Sequence, residues 1–130
     1  MISKHLWRKE SLSLKMTNNE AYDTLSLLVR LREKGKLGFV ISKNIRILRN
    51  ELSEYIAKRD EMIQRLGTKQ NDTFKIEGQE KIDEFLSLIK EYSDIEIEFT
   101  PQLIDAETFW SGNLTSDQMA DLSWMVKEEE

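Results

Sequence analysis

Eight positions between Ile41 and Leu66 set the pattern around which the chain is laid out. Ile41, Ile45, Leu48, Leu52, Tyr55, Arg59, Met62 and Leu66 recur at gaps of four and three, and seven of the eight are apolar. That spacing keeps side chains on one seam of a helix. No Pro or Gly intervenes before Gly67. The pattern therefore predicts one long helix from about Gly38 to Leu66, roughly 43 Å long at about 1.5 Å per residue. A helix so amphipathic is either the spine of a bundle or half of a coiled coil.

Other elements follow from the same reading. Leu12, Leu14 and Met16 alternate with Ser11, Ser13 and Lys15, which predicts a half-buried strand over 11–16. Thr17-Asn18-Asn19-Glu20 is an S/T-x-x-E capping box and opens a first helix running to about Lys34. Its inward stripe is Ala21, Leu25, Leu28 and Leu31 or Arg32, with Tyr22 and Val29 beside it, and Gly35 reads as its C′ residue. Lys36 to Phe39 is long enough only to turn the chain back, so the first helix and the long one form an antiparallel hairpin. Residues 67–72 read as a polar loop and 73–77 as a short strand with Phe74 and Ile76 inward. A third helix over 79–93 carries Ile82, Phe85, Leu86 and Ile89 on one stripe, extended by Tyr92. Ile95, Ile97 and Phe99 alternate with acidic residues in a second strand that Pro101 ends.

Residues 102–113 read as irregular, offering Leu103, Ile104, Phe109 and Trp110 to the core. Thr115 and Gln118 form another capping box and open a C-terminal helix over 115–127, with Met119, Leu122 and Val126 inward. Trp124 and Met125 flank that stripe. The first and third helices together match the length of the long one. Each should lie along one half of it, bringing strands 11–16 and 95–99 together near its middle as an antiparallel ribbon, with 73–77 as a candidate third strand. The expected fold is mainly α with a minor β part. Residues 1–10 form a basic arm, with Lys4, Arg8 and Lys9 around Leu6 and Trp7, and 11–130 form a single helical domain.

Composition removes several chemistries. The chain has 130 residues, no Cys and one His, His5, so neither a disulfide nor a thiolate or imidazole metal cluster is expected. No apolar run approaches the roughly 18 residues of a membrane span, and the N-terminal apolar stretch is too short for a signal peptide. A cytoplasmic setting is expected. The five glycines are isolated, with no G-x-G-x-x-G and no G-x-x-x-x-G-K-[ST], and neither G-x-S-x-G nor H-E-x-x-H occurs. The carboxylate pairs Glu80/Glu84 and Glu96/Glu98 read as solvated faces. No catalytic, cofactor-binding or metal-binding residue is assigned, and no cofactor is expected.

Charge is uneven along the chain. Residues 1–49 hold eleven Lys/Arg and four Asp/Glu, a balance of +7, whereas residues 50–130 hold eight and twenty, a balance of −12. Either the two halves attract within one molecule, or each presents a surface to a partner of opposite sign. Arg30, Arg32, Lys34, Lys36, Lys43, Arg46 and Arg49 gather around the first helical turn-back and, with Trp7 of the arm, are the candidate interaction residues. Lys43, Arg46 and Arg49 are spaced by three and share a face. Such a strip suits nucleic-acid phosphates or an acidic protein surface.

The strand running into a T-N-x-E helix, the short basic turn, the "ISKNIRIL" start of the long helix, the segment ending "IEIEF" and the late "LTSDQMADL" together resemble a family of short uncharacterised proteins. These are encoded by bacteriophages and prophages of Gram-positive bacteria. The resemblance covers roughly residues 11–127 and rests on helix and strand patterns. It implies a viral or prophage origin, a host-cytoplasm setting and a domain of unknown function, and it brings no catalytic residues. The expected function is a non-enzymatic protein-interaction module acting in assembly or in modulating a host factor. A protein partner is expected, with homo-oligomerisation through an uncovered seam as a secondary expectation and no membrane partner. The alternatives are a nucleic-acid-associated regulator using the 30–49 strip, or an acidic inhibitor of host defence that imitates a nucleic acid.

Overall fold

Thr17 closes strand β1 (Leu14–Thr17) and caps helix α1 (Asn18–Leu28). Its hydroxyl accepts the Glu20 N–H at 3.1 Å, and the Glu20 carboxylate accepts the Thr17 N–H at 3.0 Å. Two otherwise orphaned donors of the first turn are thereby satisfied. This computed structural model describes residues 13–128; the basic arm over 1–10 and Trp7 lie outside the described residues. The protein is mainly α, with six helices and two two-stranded antiparallel sheets among the described residues.

Helix α1 stops at Leu28, well short of Lys34. The N–H groups of Arg30 and Leu31 close onto Leu27 and Leu28 carbonyls at 3.1 and 3.2 Å, a tightened last turn. Residues 31–34 then run as a non-helical strap, held from outside by the Glu33 carboxylate, which accepts the Asn113 N–H at 2.6 Å. Gly35 is not the end of α1. It opens α2 (Gly35–Glu51) with φ 64°, a backbone angle that glycine adopts without steric cost.

The expected single long helix is two. Helix α2 ends at Glu51 and α3 spans Ser53–Leu66, with Leu52 between them at φ −94° and ψ 2°. The hydrogen-bond ladder passes through the interruption. Leu52 donates to Leu48 O at 2.8 Å and accepts from Ile56 N–H at 2.8 Å. Leu48 and Leu52 are both fully buried, so the seam survives where the helix does not. Helix α1 packs along α2, and α4 (Gln79–Ser93) packs along α3, the arrangement the lengths predict. Tyr55 and Ser93 tie α3 to α4 through a buried hydroxyl pair at 2.8 Å.

Strand β1 pairs antiparallel with a strand over Glu96–Phe99, in the register Leu14↔Phe99, Lys15↔Glu98, Met16↔Ile97 and Thr17↔Glu96. Apolar pairs thus alternate with polar ones, and Lys15 stands opposite Glu98 as charge complementarity favours. The expected third strand does not join this ribbon. Residues 68–70 (β2) and 73–75 (β3) form a separate hairpin, and the Glu96–Phe99 strand is accordingly β4. Asn71 makes the turn at φ 58°, a left-handed angle its short side chain tolerates. Phe74 and every other residue of the two hairpin strands are exposed.

The C-terminal third closes over α2. A short helix α5 (Ala106–Trp110) lies inside the segment expected to be irregular, and it buries Phe109 while leaving Trp110 57% exposed. Helix α6 (Ser116–Asp121) begins at the expected Thr115/Gln118 capping box but ends early, followed by a 3₁₀ turn over Ser123–Met125. The reason is tertiary. Ile104 donates to Met125 O at 2.7 Å and accepts from Lys127 N–H at 2.8 Å, which draws the chain out as extended backbone from Val126. Met125 is fully buried rather than flanking. Asn44, also fully buried, clamps the chain after Pro101: its Nδ2 donates to Gln102 O at 3.0 Å and its Oδ1 accepts Gln102 N–H at 2.8 Å. Polar burial with both valences satisfied fixes this segment against α2.

Helix α4 departs most from its expected stripe. Phe85 and Ile89 are buried, but Ile82 is 37% exposed and Leu86 55% exposed. No helix of the described residues is long and apolar enough to cross a membrane.

Candidate interaction surface

The basic residues divide into two groups. Arg30 turns back on its own helix, with its Nε donating to Ser26 O at 3.0 Å at the α1 C-terminus, where carbonyls are unsatisfied. Lys36 reaches Asp105 Oδ1 at 2.8 Å. Arg32, Lys34 and Lys36 line an open groove of about 400 Å³ with Glu33, Leu37 and residues 108 and 111–113. Two of its cations stand beside a carboxylate already committed, since Glu33 holds Asn113. Within this group Lys36 ties the start of α2 to the C-terminal third through Asp105, while Glu33 ties the 31–34 strap to it through Asn113.

Asp105 does two jobs there. Its Oδ2 accepts the N–H and hydroxyl of Thr108 at 2.9 and 2.7 Å, capping α5, while Oδ1 takes Lys36. The Lys36 hydrogen bond first, then those from Thr108, hold its carboxyl well below the usual 3.8. Glu20 is likewise held below 4.5, chiefly by the Thr17 N–H. A carboxyl whose folded value is depressed adds stability above its unfolded value and loses it as pH falls through the folded one. Unfolding free energy should therefore decline as pH drops below about 4.5. The double variant Glu20→Gln/Asp105→Asn should show a shallower decline in acid denaturation than the wild type, while remaining folded at neutral pH.

The second group is Lys43, Arg46 and Arg49 on the solvent side of α2. Phe39, Lys43, Arg46 and Asn50 stand at i, i+4, i+7 and i+11 and form one exposed strip. Phe39 is 61% exposed, and the Lys43 ammonium lies 5.3 Å from its ring centroid. Beside the strip, Val29, Ser42, Ile45, Arg46 and Arg49 line a second open groove of about 400 Å³ between the end of α1 and α2. Its floor is apolar and its rim is guanidinium. Among the described residues, no carboxylate pairs with Arg46 or Arg49.

Sequence reasoning found the three cations of this strip but not Phe39 or Val29, which it placed in a turn and beside a buried stripe. The signal was present in Phe39-x-x-x-Lys43. Helix α2 begins at Gly35, three residues before the expected start at Gly38, which places Phe39 a full turn inside the helix rather than in the turn. No group of three or more His, Cys, Asp or Glu that could hold a metal is present among the described residues. No protein-family model matches this chain, nor does any curated protein or solved structure.

Proposed function

We propose that this protein is a non-enzymatic interaction module, and that the α2 face formed by Phe39, Lys43, Arg46 and Arg49 with the Val29/Ile45 groove is its docking surface. The observation that carries the reading is Phe39, a large ring left 61% exposed beside cations with no carboxylate partner among the described residues. Aromatic and Arg side chains are the residues over-represented where binding energy concentrates. A surface that is apolar at its floor and cationic at its rim fits an acidic amphipathic segment of a protein. The sequence's resemblance to phage and prophage proteins of Gram-positive bacteria supports a role in phage assembly or in modulating a host factor, within the host cytoplasm.

Fluorescence anisotropy with an acidic amphipathic helical peptide and with duplex DNA as separate probes tests this. The peptide should bind, with affinity falling as salt rises, and Arg46→Glu/Arg49→Glu should weaken it by at least tenfold, two charge pairs being lost and reversed. Binding of DNA in preference to the peptide, abolished by the same variant, would replace the reading with a nucleic-acid one. Peptide binding that the variant leaves unchanged would sink it.

A further inference from the structure

The α2 groove has a counterpart elsewhere on the same chain. The first two turns of α4 expose Ile82 and Leu86, one turn apart, and carry Glu80, Asp83 and Glu84 around them against a single cation, Lys81. Resting on the reading of the α2 face as a docking surface, we infer that its occupant is a second copy of this chain, which inserts the Ile82/Leu86 face of α4.

Three observations support this. The apolar residues of the two surfaces sit beside charges of opposite sign, so wrong-way pairing of like surfaces is disfavoured. The faces cannot meet within one molecule. Helix α4 runs back along α3, with Phe85 level with Arg59 at 5.4 Å, whereas the groove lies between residues 42 and 49 of α2. Thirteen residues from Arg46 to Arg59 separate the two levels by about 20 Å at the helical rise. Finally, the exposed α4 residues occupy stripe positions that an ordinary amphipathic helix buries, so water contact there is removed by association.

One groove-to-helix contact leaves a free helix face on one copy and a free groove on the other. A reciprocal contact closes these into a two-fold dimer; otherwise the contact repeats head to tail.

Sedimentation velocity of the full chain, run over a concentration series at low and at physiological salt, reads this directly. The wild type should show a concentration-dependent rise in mass that salt reduces. Arg46→Glu/Arg49→Glu removes the groove and leaves α4 intact; Leu86→Asp does the reverse at an exposed position, with Leu86→Ser as the milder form. Circular dichroism confirms that each stays folded. Each alone should remain monomeric. Mixed in equal amounts they should form a one-to-one heterodimer and nothing larger, because one intact groove meets one intact helix face. A wild type that is monomeric throughout overturns the inference, and peptide binding by that same monomer would leave the docking-surface reading standing. Association that either variant leaves intact, or variants that fail to complement on mixing, would also overturn it.

Discussion

Leu52→Ala is expected to destabilise the protein by about 3 kcal/mol, within the range for truncating a fully buried leucine, and so to lower Tm by on the order of 10 °C. Leu52 is fully excluded from solvent and is the seam residue that joins α2 to α3. It belongs to the same buried cluster as Leu48 and Tyr55, so truncation to alanine opens a cavity in a close-packed core. Leu86→Ala is the internal control. It removes the same atoms from a residue 55% exposed and should change stability by less than about 0.5 kcal/mol. Thermal and denaturant unfolding of both variants checks the pair. Equal losses would show that the seam does not run through Leu52.

The interruption at Leu52 was not legible in the sequence, and the reason is physical. Helix breaks are read from Pro, Gly or a gap in periodicity. Here the apolar period continues through Leu48, Leu52 and Tyr55, and the ladder bonds at Leu48 O and Ile56 N–H are kept. What differs is which element covers each half, and that is a property of the whole fold. The same holds for the early end of α1. Leu31 and Arg32 fit a helical stripe, but Glu33 is taken by Asn113, eighty residues away in the chain. Local signals did well where their partners are local. Both capping boxes, Thr17/Glu20 and Thr115/Gln118, form as the spacing requires. The β1/β4 ribbon was placed by helix lengths alone, and it formed because α1 and α4 do divide the spine between them.

Of the candidate surface, the cations were visible as a charge count, and their division was not. Lys36 and Arg30 are spent on the fold, through Asp105 and Ser26 O, while Arg46 and Arg49 face solvent. Counting charges cannot distinguish a lysine that straps two segments together from one that awaits a partner. Hydrophobic pattern misled in the opposite sense on α4, where Ile82 and Leu86 fit the stripe yet stay exposed. A stripe shows which residues are able to be covered, and the covering surface then has to come from elsewhere in the chain or from another molecule.

Arg59 is the one seam position that the apolar pattern lacks, and the structure gives it three rings. Its guanidinium carbon lies 4.4 Å from the Tyr22 ring centroid, 5.4 Å from Phe85 and 5.9 Å from Tyr55, so one cation joins α1, α3 and α4. Tyr22 and Tyr55 meet edge to face at 6.0 Å and complete the enclosure. Its Nε is buried without a hydrogen-bond partner, and no carboxylate pairs with it among the described residues. The charge is therefore balanced by ring faces, whose quadrupoles attract a cation by about 0.5–1 kcal/mol each at exposed sites and by more where it is desolvated. Arg59→Ala loses these contacts together with the packing of the aliphatic stem, and is expected to cost about 2–3 kcal/mol. Arg59→Met keeps the stem volume and removes an unsatisfied N–H, so its loss should be nearer 1 kcal/mol. Arg59→Glu sets a carboxylate against the negative ring faces and should cost more than about 3 kcal/mol, much as stranding a buried charge does. Urea midpoints should fall in the order Met, Ala, Glu. Because rings rather than carboxylates hold the cation, added salt should leave that order and its spacing unchanged, whereas it weakens an exposed pair such as Lys36–Asp105. An Arg59→Glu variant within 1 kcal/mol of the wild type would mean that the three rings do not hold this side chain in solution.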